Sequence, residues 1–291
     1  MSKIPLKRRV VSMFTESSLY TRLRSSCAQE LYWKISKPEL SELRSKQVQF
    51  YRDLLKGFRP GDLIFDVGAN VGDKTDAFLR MGARVVAVEP DERGLEVLRA
   101  RFMKYRLSRK PVSIVCKAVS ETVSVQTMWV DGPASAVNTL SQKWVETLRA
   151  DKGRFDYRTP DAMDFSEKTK VETTTLERLR AEYGPPFFIK IDVEGYELSA
   201  LKGLRCPVPY LSFEVNLPEF RNEGLECLSV LRNLVPEGEF NCASDITCGL
   251  ILERWTDSQE LARLISRHSD KSIEVFWRTP SLLWDRSASG E

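Results

Sequence analysis

The sequence LIFDVGANVGDKT, residues 63–75, constrains the fold more than any other stretch of this chain. Four of its first five residues are apolar, which is typical of a short parallel strand covered on both faces. Gly68 and Gly72 bracket the turn that follows, and a glycine lets backbone pass close to a ligand. A strand that enters a helix through such a turn predicts an α/β fold with a cofactor site at the turn.

A second apolar run, residues 84–88, ends at Glu89, which lies 21 residues after Gly68. This spacing suits an acid that accepts hydrogen bonds from the two hydroxyls of an adenosine ribose. Three classes of ligand carry adenosine and compete for such a site: a dinucleotide, a nucleoside triphosphate and S-adenosylmethionine.

The turn itself discriminates among these ligands. A dinucleotide fingerprint needs a glycine where Asn70 stands, and a P-loop needs a four-residue gap between two glycines, which is absent here. Asp66 would repel a pyrophosphate but could serve a methionine ammonium group. The charge pattern therefore favours S-adenosylmethionine, which carries a sulfonium and no phosphate.

Alternating apolar runs and helix-forming segments predict parallel β-α-β units and a doubly wound sheet. We predict strands at residues 63–67, 84–88, 112–117, 123–130, 187–191, 210–215 and 273–277. We predict helices at residues 38–58, 73–81, 91–105, 176–183, 194–201, 225–234 and 259–265. The stretch 131–164 is long and of mixed composition, and such insertions often carry substrate contacts, although a plain surface excursion is the alternative.

Several separated motifs resemble the FkbM family of S-adenosylmethionine-dependent methyltransferases. FDVGANVG (65–72) is similar to the first motif of the family, and VVAVEPD (85–91) to its second strand. IKIDVEGYE (189–197) resembles the central signature, and VETTTLERL (171–179) the segment before it. The likeness covers about residues 50–217.

The resemblance implies a Rossmann-like class I methyltransferase fold, with seven strands, mostly parallel, helices on both sheet faces and an antiparallel last strand. We expect a basic N-terminal arm and helical extension over residues 1–58, a methyltransferase domain over 59–286 and a frayed tail over 287–291. Residues 1–26 are basic and rich in serine, which is typical of a solvated arm or of a targeting or membrane-surface segment.

Ligands of open α/β sheets bind beyond the carboxyl ends of the strands, so we expect Asp66, Glu89, Asp192 and Glu214 to converge on one crevice. Glu89 would bind ribose hydroxyls, and Asp66 the methionine ammonium, directly or through water. The resemblance places backbone near Ala118 at the adenine edge. The predicted cofactor-binding residues are Asp66, Gly68, Asn70, Gly72, Thr75, Glu89, Pro90, Ala118 and Asp192.

Transfer to a hydroxyl benefits from a general base, and Asp192 is the first candidate, with Glu194 and Glu214 as reserves. Glu194 has an equally good structural explanation, because an acid in the first turn of a helix stabilises its dipole. Asp192 could instead bind the cofactor. The resemblance implies a small-molecule or glycan hydroxyl as acceptor. The alternatives are a protein or amine nitrogen acceptor, a non-catalytic cofactor-binding protein, and, third, a dehydrogenase.

Composition excludes several other classes of protein. The 44 basic and 41 acidic residues leave a net charge of only +3, which gives no support for a nucleic-acid partner. The single histidine, His268, rules out a His-rich metal site, and no spacing of carboxylates requires Mg²⁺, so no metal is predicted. Six cysteines without a C-x-x-C pair indicate reduced thiols and a cytoplasmic location. No apolar run is long enough to span a membrane.

Overall fold

The computed structural model describes residues 38–103, 112–151, 153–154 and 163–283. The predicted basic arm and frayed tail lie outside the described residues. The helices are α1 (Pro38–Leu54), α2 (Asp73–Met81), α3 (Glu92–Arg101), α4 (Gln142–Ala150), α5 (Leu176–Tyr183), α6 (Glu197–Lys202), α7 (Arg221–Leu234) and α8 (Ser258–Arg267). The strands are β1 (Leu63–Val67), β2 (Arg84–Val88), β3 (Val112–Val115), β4 (Ala118–Val119), β5 (Val125–Val130), β6 (Glu167–Thr174), β7 (Phe188–Ile191), β8 (Tyr210–Asn216), β9 (Glu239–Ala243) and β10 (Ser272–Arg278).

Seven strands form one sheet in the order β3-β2-β1-β7-β8-β10-β9. The pairs from β3 across to β8 are parallel, and β10 runs antiparallel to both β8 and β9. The order reverses between β1 and β7, so the carboxyl ends of these strands meet at a topological switch point, where open α/β sheets bind ligands. The predicted Rossmann-like fold, with an antiparallel last strand, is confirmed.

Strand alternation divides the sheet into two faces with separate cores. Phe65, Ile189 and Phe213 belong to the core on one face, beneath α5 to α8. Ile64 and Phe188 belong to the core on the other face, beneath α1 to α3. Even-numbered positions of β1, β7 and β8 therefore point toward α1 to α3.

Helix α1, in the predicted N-terminal extension, packs directly onto the second of these cores. Tyr51 is fully buried, and its ring contacts Phe78 of α2 and Phe188 of β7 edge-on or tilted, with centroid distances of 4.9 and 5.8 Å. Aromatic pairs at these distances add stabilisation beyond the area that they bury. The helix is thus part of the sheet's covering layer.

The seven strands are not the seven predicted from the sequence. The predicted strand at 123–130 is β5, which pairs antiparallel with β6 in a separate three-stranded sheet. Its place in the main sheet is taken by β9, for which we predicted no strand. β6 and α4 were also missed. The sequence of β6, EKTKVETT, is mostly polar because much of the strand is exposed, so it lacks the apolar signal of a buried strand.

Two local predictions also need correction. The helix predicted at 194–201 begins only at Glu197, because Glu194 and Gly195 have positive φ angles of 53° and 82°. Cys116 lies just beyond β3 and is exposed, whereas we predicted it within the strand. His268 occupies the C-cap position of α8. No helix in the described ranges is both long and apolar enough to cross a membrane.

Candidate active site

The two glycines of the β1–α2 turn are explained by contacts within the protein. Both have positive φ, at 82° and 83°. A methyl group at Gly68 would overlap the main-chain carbonyl oxygen of Asp192, and one at Gly72 would overlap the side chains of Leu98 and Phe102. Glycine is therefore required here by backbone conformation and by close packing, whether or not a ligand approaches.

Asn70 connects the turn to the rest of the site. It adopts a left-handed conformation, with φ of 46°, which asparagine tolerates better than most residues. Its backbone N–H donates to Oε2 of Glu89 at 2.8 Å. Its side-chain amide donates to the carbonyl oxygens of Ala134 and Ser135, each at 3.2 Å. Asn70 thus binds both Glu89, which follows β2, and residues 134–135, which follow β5.

Glu89 is buried but keeps hydrogen-bonding capacity. Oε1 accepts from the backbone N–H of Asp91 at 2.8 Å, so each carboxylate oxygen has one backbone donor. Burial raises the pKa of Glu89 to about 7, and the two backbone hydrogen bonds oppose that rise. A carboxylate has about four acceptor positions. Two remain for the diol of a ribose only when Glu89 is ionised.

The residues just after β5 close over this side of the sheet. The backbone N–H of Ala134 donates to Oδ2 of Asp91 at 2.7 Å, and the hydroxyl of Thr139 donates to the carbonyl oxygen of Glu194 at 2.7 Å. Thr139 also pairs with Trp129 through backbone hydrogen bonds. Part of the mixed stretch predicted to carry substrate contacts therefore forms one wall of the site.

An open cavity lies between the strand ends and this wall. Glu89 stands at one part of its lining, and Asp192 and Glu194 at another. Apolar side chains of Val119 and Met128 also line it. The lining includes six of the nine predicted cofactor-binding residues and others that we did not predict. The predicted residues are Gly68, Asn70, Glu89, Pro90, Ala118 and Asp192, and among the others are Lys117, Ser135, Ala136, Asn138, Thr139, Leu140 and Tyr196.

These residues suit S-adenosylmethionine chemically. The adenosine has a ribose diol for a carboxylate and an apolar base for aliphatic side chains, and the other end carries a sulfonium and an ammonium. Glu89 and the apolar side chains of Met128 and Leu140 match the first part, and the carboxylates of Asp192 and Glu194 match the positive charges of the second.

Asp66 does not line this cavity. Its position in β1 points the side chain toward α2, where the hydroxyl of Thr75 donates to Oδ2 at 2.5 Å. Both residues are buried, and burial raises the pKa of Asp66. Asp66 and Thr75 thus join β1 to the first turn of α2, and their binding of the cofactor stays a prediction.

The carboxylates after β7 and in β8 form a tight cluster. Each of Asp192, Glu194 and Glu214 has an oxygen within 4.8 Å of an oxygen of the other two. Burial raises the pKa of Glu194 well above its ordinary range and that of Glu214 to about 7, and the neighbouring carboxylates add to both shifts. All three predicted catalytic residues are therefore brought together. Of the predicted cofactor-binding residues, Asp66, Gly72 and Thr75 lie neither in this cluster nor on the cavity wall.

Lys190 supplies the positive charge beneath this cluster. Its side chain is buried, and Nζ lies 2.7 Å from Oδ2 of Asp192. Burial alone would lower the pKa of Lys190, but the charges of Asp192 and Glu274 outweigh it and raise the pKa. Nothing in the sequence singled out Lys190, although its even-numbered position in β7 places it on the same face as Asp66.

Replacing Lys190 by methionine should destabilise the protein. The substitution leaves the carboxylates without their counter-charge, and because Asp192 is partly exposed we expect a cost of about 1–3 kcal/mol. We expect the urea midpoint of K190M to fall accordingly, and the double variant K190M/D192N to recover part of the loss. Equal stability of K190M and the parent would show that the ion pair contributes little.

Glu197 is a structural acid that the sequence did not reveal. Its Oε1 accepts from the backbone N–H groups of Val193 and Gly195, at 3.1 and 3.2 Å. Burial raises the pKa of Glu197 to about 8. These bonds fix the turn that carries Glu194, and the acid in the first turn of α6 is Glu197. The structural role that we weighed for Glu194 therefore falls to Glu197.

Two comparisons of the sequence with known proteins gave matches. Residues 66–234 match the family model described as the methyltransferase FkbM domain. Ribosomal RNA small subunit methyltransferase A from Thermotoga petrophila is 43% identical over 49 residues, which is 17% of this chain and 19% of that protein.

Two solved structures with partial similarity to the chain were found. Methyltransferase FkbM from Methylobacillus flagellatus KT has a TM-score of 0.45 at 17% identity, over 75% of this chain and 44% of that one. An S-adenosylmethionine-dependent O-methyltransferase from Thermotoga maritima has a TM-score of 0.37 at 14% identity, over 80% and 64%. The matched regions thus span less than two thirds of each of these relatives.

Proposed function

The chain belongs to the methyltransferase FkbM domain family, and from this premise we propose that it transfers a methyl group to a hydroxyl oxygen of a small molecule or glycan. S-adenosylmethionine is the methyl donor; when bound, it supplies a methyl group activated by a sulfonium. The observation that carries the proposal is a single cavity lined by Glu89 and by the carboxylates of Asp192 and Glu194.

Glu89 is the proposed ribose ligand. Its two backbone hydrogen bonds fix the carboxylate, and two acceptor positions remain for the diol. A preorganised acceptor pair loses little conformational entropy on binding. Pro90 and Ala118 line the cavity nearby, and we propose that backbone at Ala118 contacts the adenine edge.

Asp192 is the proposed base for the acceptor hydroxyl. Lys190 binds one of its oxygens and fixes its orientation, while the side chain of Asp192 remains 36% exposed, so it is accessible from the cavity. The proton of the hydroxyl would pass to Asp192 as the oxygen takes up the methyl group. Holding the acceptor in line can supply several orders of magnitude in rate, so positioning by the cavity wall is the other main contribution.

The function can be tested in two steps with the full chain. Calorimetric titration with S-adenosylhomocysteine should show one binding site, and incubation with methyl-labelled S-adenosylmethionine and a panel of sugars, polyols and phenols should give a labelled ether. Binding without transfer to any acceptor would favour a non-catalytic cofactor-binding protein. No binding to the folded chain would refute the proposed site.

Cofactor affinity should depend on pH through Glu89. The pKa of Glu89 is raised to about 7, and only the ionised form can accept four hydrogen bonds, so binding is favoured above pH 7 and weakens below it. We expect the affinity for S-adenosylhomocysteine to fall about tenfold from pH 8 to pH 6. The E89Q variant isolates this effect from the other acids. If it retains the full pH dependence of the parent, Glu89 is not the cause.

An amine acceptor is the second candidate function, and the carboxylate cluster favours it. Three acids around one point attract an ammonium group as well as they activate a hydroxyl. An amine needs no strong base, so replacement of Asp192 separates the two candidates. Adding peptides and free amines to the acceptor panel tests them side by side.

We also propose a cytoplasmic location. The five cysteines within the described ranges are all free thiols, including Cys242 and Cys248, which are six residues apart. Free thiols are typical of reducing compartments. Imaging of the full chain with a C-terminal fluorescent tag would test the location and would show whether the basic arm directs the protein elsewhere.

A further inference from the structure

A network of hydrogen bonds lies behind the cavity at Tyr196, the residue before α6. The hydroxyl of Tyr196 donates to Oε1 of Gln126 in β5 at 2.7 Å. The amide Nε2 of Gln126 donates to Oγ of Ser120 at 3.1 Å, and this oxygen lies 3.2 Å from Oγ of Ser199 and 3.4 Å from the hydroxyl of Tyr196. The network thus joins β5, the residue after β4, and α6.

Gln126 occupies a face of β5 that is otherwise apolar. Alternation along the strand places Gln126 on the same face as Met128 and Val130, which are buried in the small core of the three-stranded sheet. A polar side chain on such a face costs free energy unless its hydrogen bonds are made. Tyr196 and Ser120 bind the two ends of the amide, so these bonds account for Gln126 at this position.

The network fixes the orientation of the Tyr196 side chain. Tyr196 lines the cavity, whereas the described residues that bind its hydroxyl, Gln126 and Ser120, do not. The hydroxyl therefore points away from the cavity, and the aromatic ring is the part of the side chain nearer to it. Because Gln126 and Ser120 belong to different elements, rotation of the ring would break hydrogen bonds on two sides.

The contacts of Tyr196 indicate which end of the cavity it occupies. Its hydroxyl lies next to Ser120, two residues after Ala118, whose backbone is the proposed contact of the adenine edge. The apolar side chains of Met128 and Leu140 line the same cavity. A flat aromatic ring together with aliphatic side chains suits a planar base.

We propose that the ring of Tyr196 packs against the adenine base of S-adenosylmethionine and that Gln126 is a positioning residue, which holds the ring in that orientation. This inference rests on the proposed function. It gives the three-stranded sheet a part in donor affinity through a residue that does not touch the donor. Loss of a base–aromatic stack lowers affinity by about 5- to 150-fold.

Calorimetric titration of the full chain with two ligands tests the role of the ring. S-adenosylhomocysteine has the complete donor skeleton, whereas 5′-methylthioadenosine keeps the adenosine and lacks the amino-acid end. Tyr196→Ala should weaken the binding of both ligands by the same factor, about tenfold or more. Tyr196→Phe keeps the ring and loses only its hydrogen bonds, so it should restore most of the affinity and leave a loss of about three- to fivefold.

Gln126→Ala tests the role of the network. It should weaken both ligands by about three- to fivefold, and its effect should not add to that of Y196F, since both changes remove the same hydrogen bond. Thr127→Ala is the matched control. Thr127 lies on the opposite face of β5, where its hydroxyl oxygen accepts from Lys170, so T127A should keep the parental affinity.

Several results would overturn the proposal. Parental affinity of Y196A for S-adenosylhomocysteine would remove the ring from the donor site. A loss for S-adenosylhomocysteine without one for 5′-methylthioadenosine would place Tyr196 at the amino-acid end, and a Y196F variant as weak as Y196A would assign the effect to the hydroxyl.

The state of the variants and of the parent decides how these results are interpreted. Circular dichroism shows whether Y196A is folded; if it is not, Tyr196→Leu replaces it, because leucine is apolar and has no flat ring, with an expected loss of about fivefold or more. A parent chain that binds neither ligand would refute the donor site of the proposed function. Binding by the parent with an unaffected, folded Y196A would refute only the role of Tyr196.

Discussion

Replacing Glu89 by alanine should reduce the affinity for S-adenosylhomocysteine about 10³-fold, since two hydrogen bonds to a charged acceptor are lost at about 1.5–3 kcal/mol each. The substitution also removes the acceptor of the backbone N–H groups of Asn70 and Asp91, so the turn that shapes the cavity loses its anchor. Both effects act in the same direction. Isothermal calorimetry of the parent and the variant measures the change.

The control for this prediction is Glu92→Gln. Glu92 lies three residues from Glu89, in the first turn of α3, and is exposed. Its replacement by glutamine removes one negative charge, as E89A does, without changing the cavity wall at the ribose position. We expect its affinity for S-adenosylhomocysteine to stay within about threefold of the parent. Circular dichroism and the urea midpoint show whether E89A is folded. A folded E89A with parental affinity would falsify the assignment of Glu89 to the ribose.

Local sequence patterns predicted the part of the fold that forms the candidate cofactor site. The apolar runs that end at Gly68 and at Glu89 predicted β1, β2 and the turns after them. Buried parallel strands and glycines with positive φ can be recognised from about ten consecutive residues. β9 and β6 left no such signal. β9 is an edge strand of mixed composition, and β6 is stabilised by pairing with β5, whose residues lie 37 to 47 positions earlier in the chain.

Only part of the candidate site could be predicted from the sequence. The strand ends placed Asp192 and Glu214 side by side, because the carboxyl ends of neighbouring parallel strands meet at one edge of a sheet. The direction of Asp66 also follows from alternation: it lies between Phe65 and Val67, which face the opposite core. The turn at Glu194 could not be predicted, because it depends on Glu197 and on Thr139, 55 residues away.

The Asp192→Asn variant should lose about 10²–10⁴-fold in kcat with an alcohol acceptor, because an amide does not accept the proton of the hydroxyl. Its affinity for S-adenosylhomocysteine should change much less than that of E89A. The measurement is the initial rate of label transfer at saturating donor, with the acceptor that the panel identifies.

Asp192→Glu provides the matched control, because it keeps the charge and changes only the position of the carboxylate, so it should recover part of the rate that D192N loses. If D192N instead keeps kcat at saturating donor but loses affinity for S-adenosylhomocysteine, Asp192 binds the cofactor and another group accepts the proton. If D192N keeps both with an amine acceptor, the nitrogen-methylating alternative is favoured, because a neutral amine needs no strong base. The ion pair with Lys190 makes stability a necessary check, and the urea midpoint of D192N separates a lost base from a lost fold.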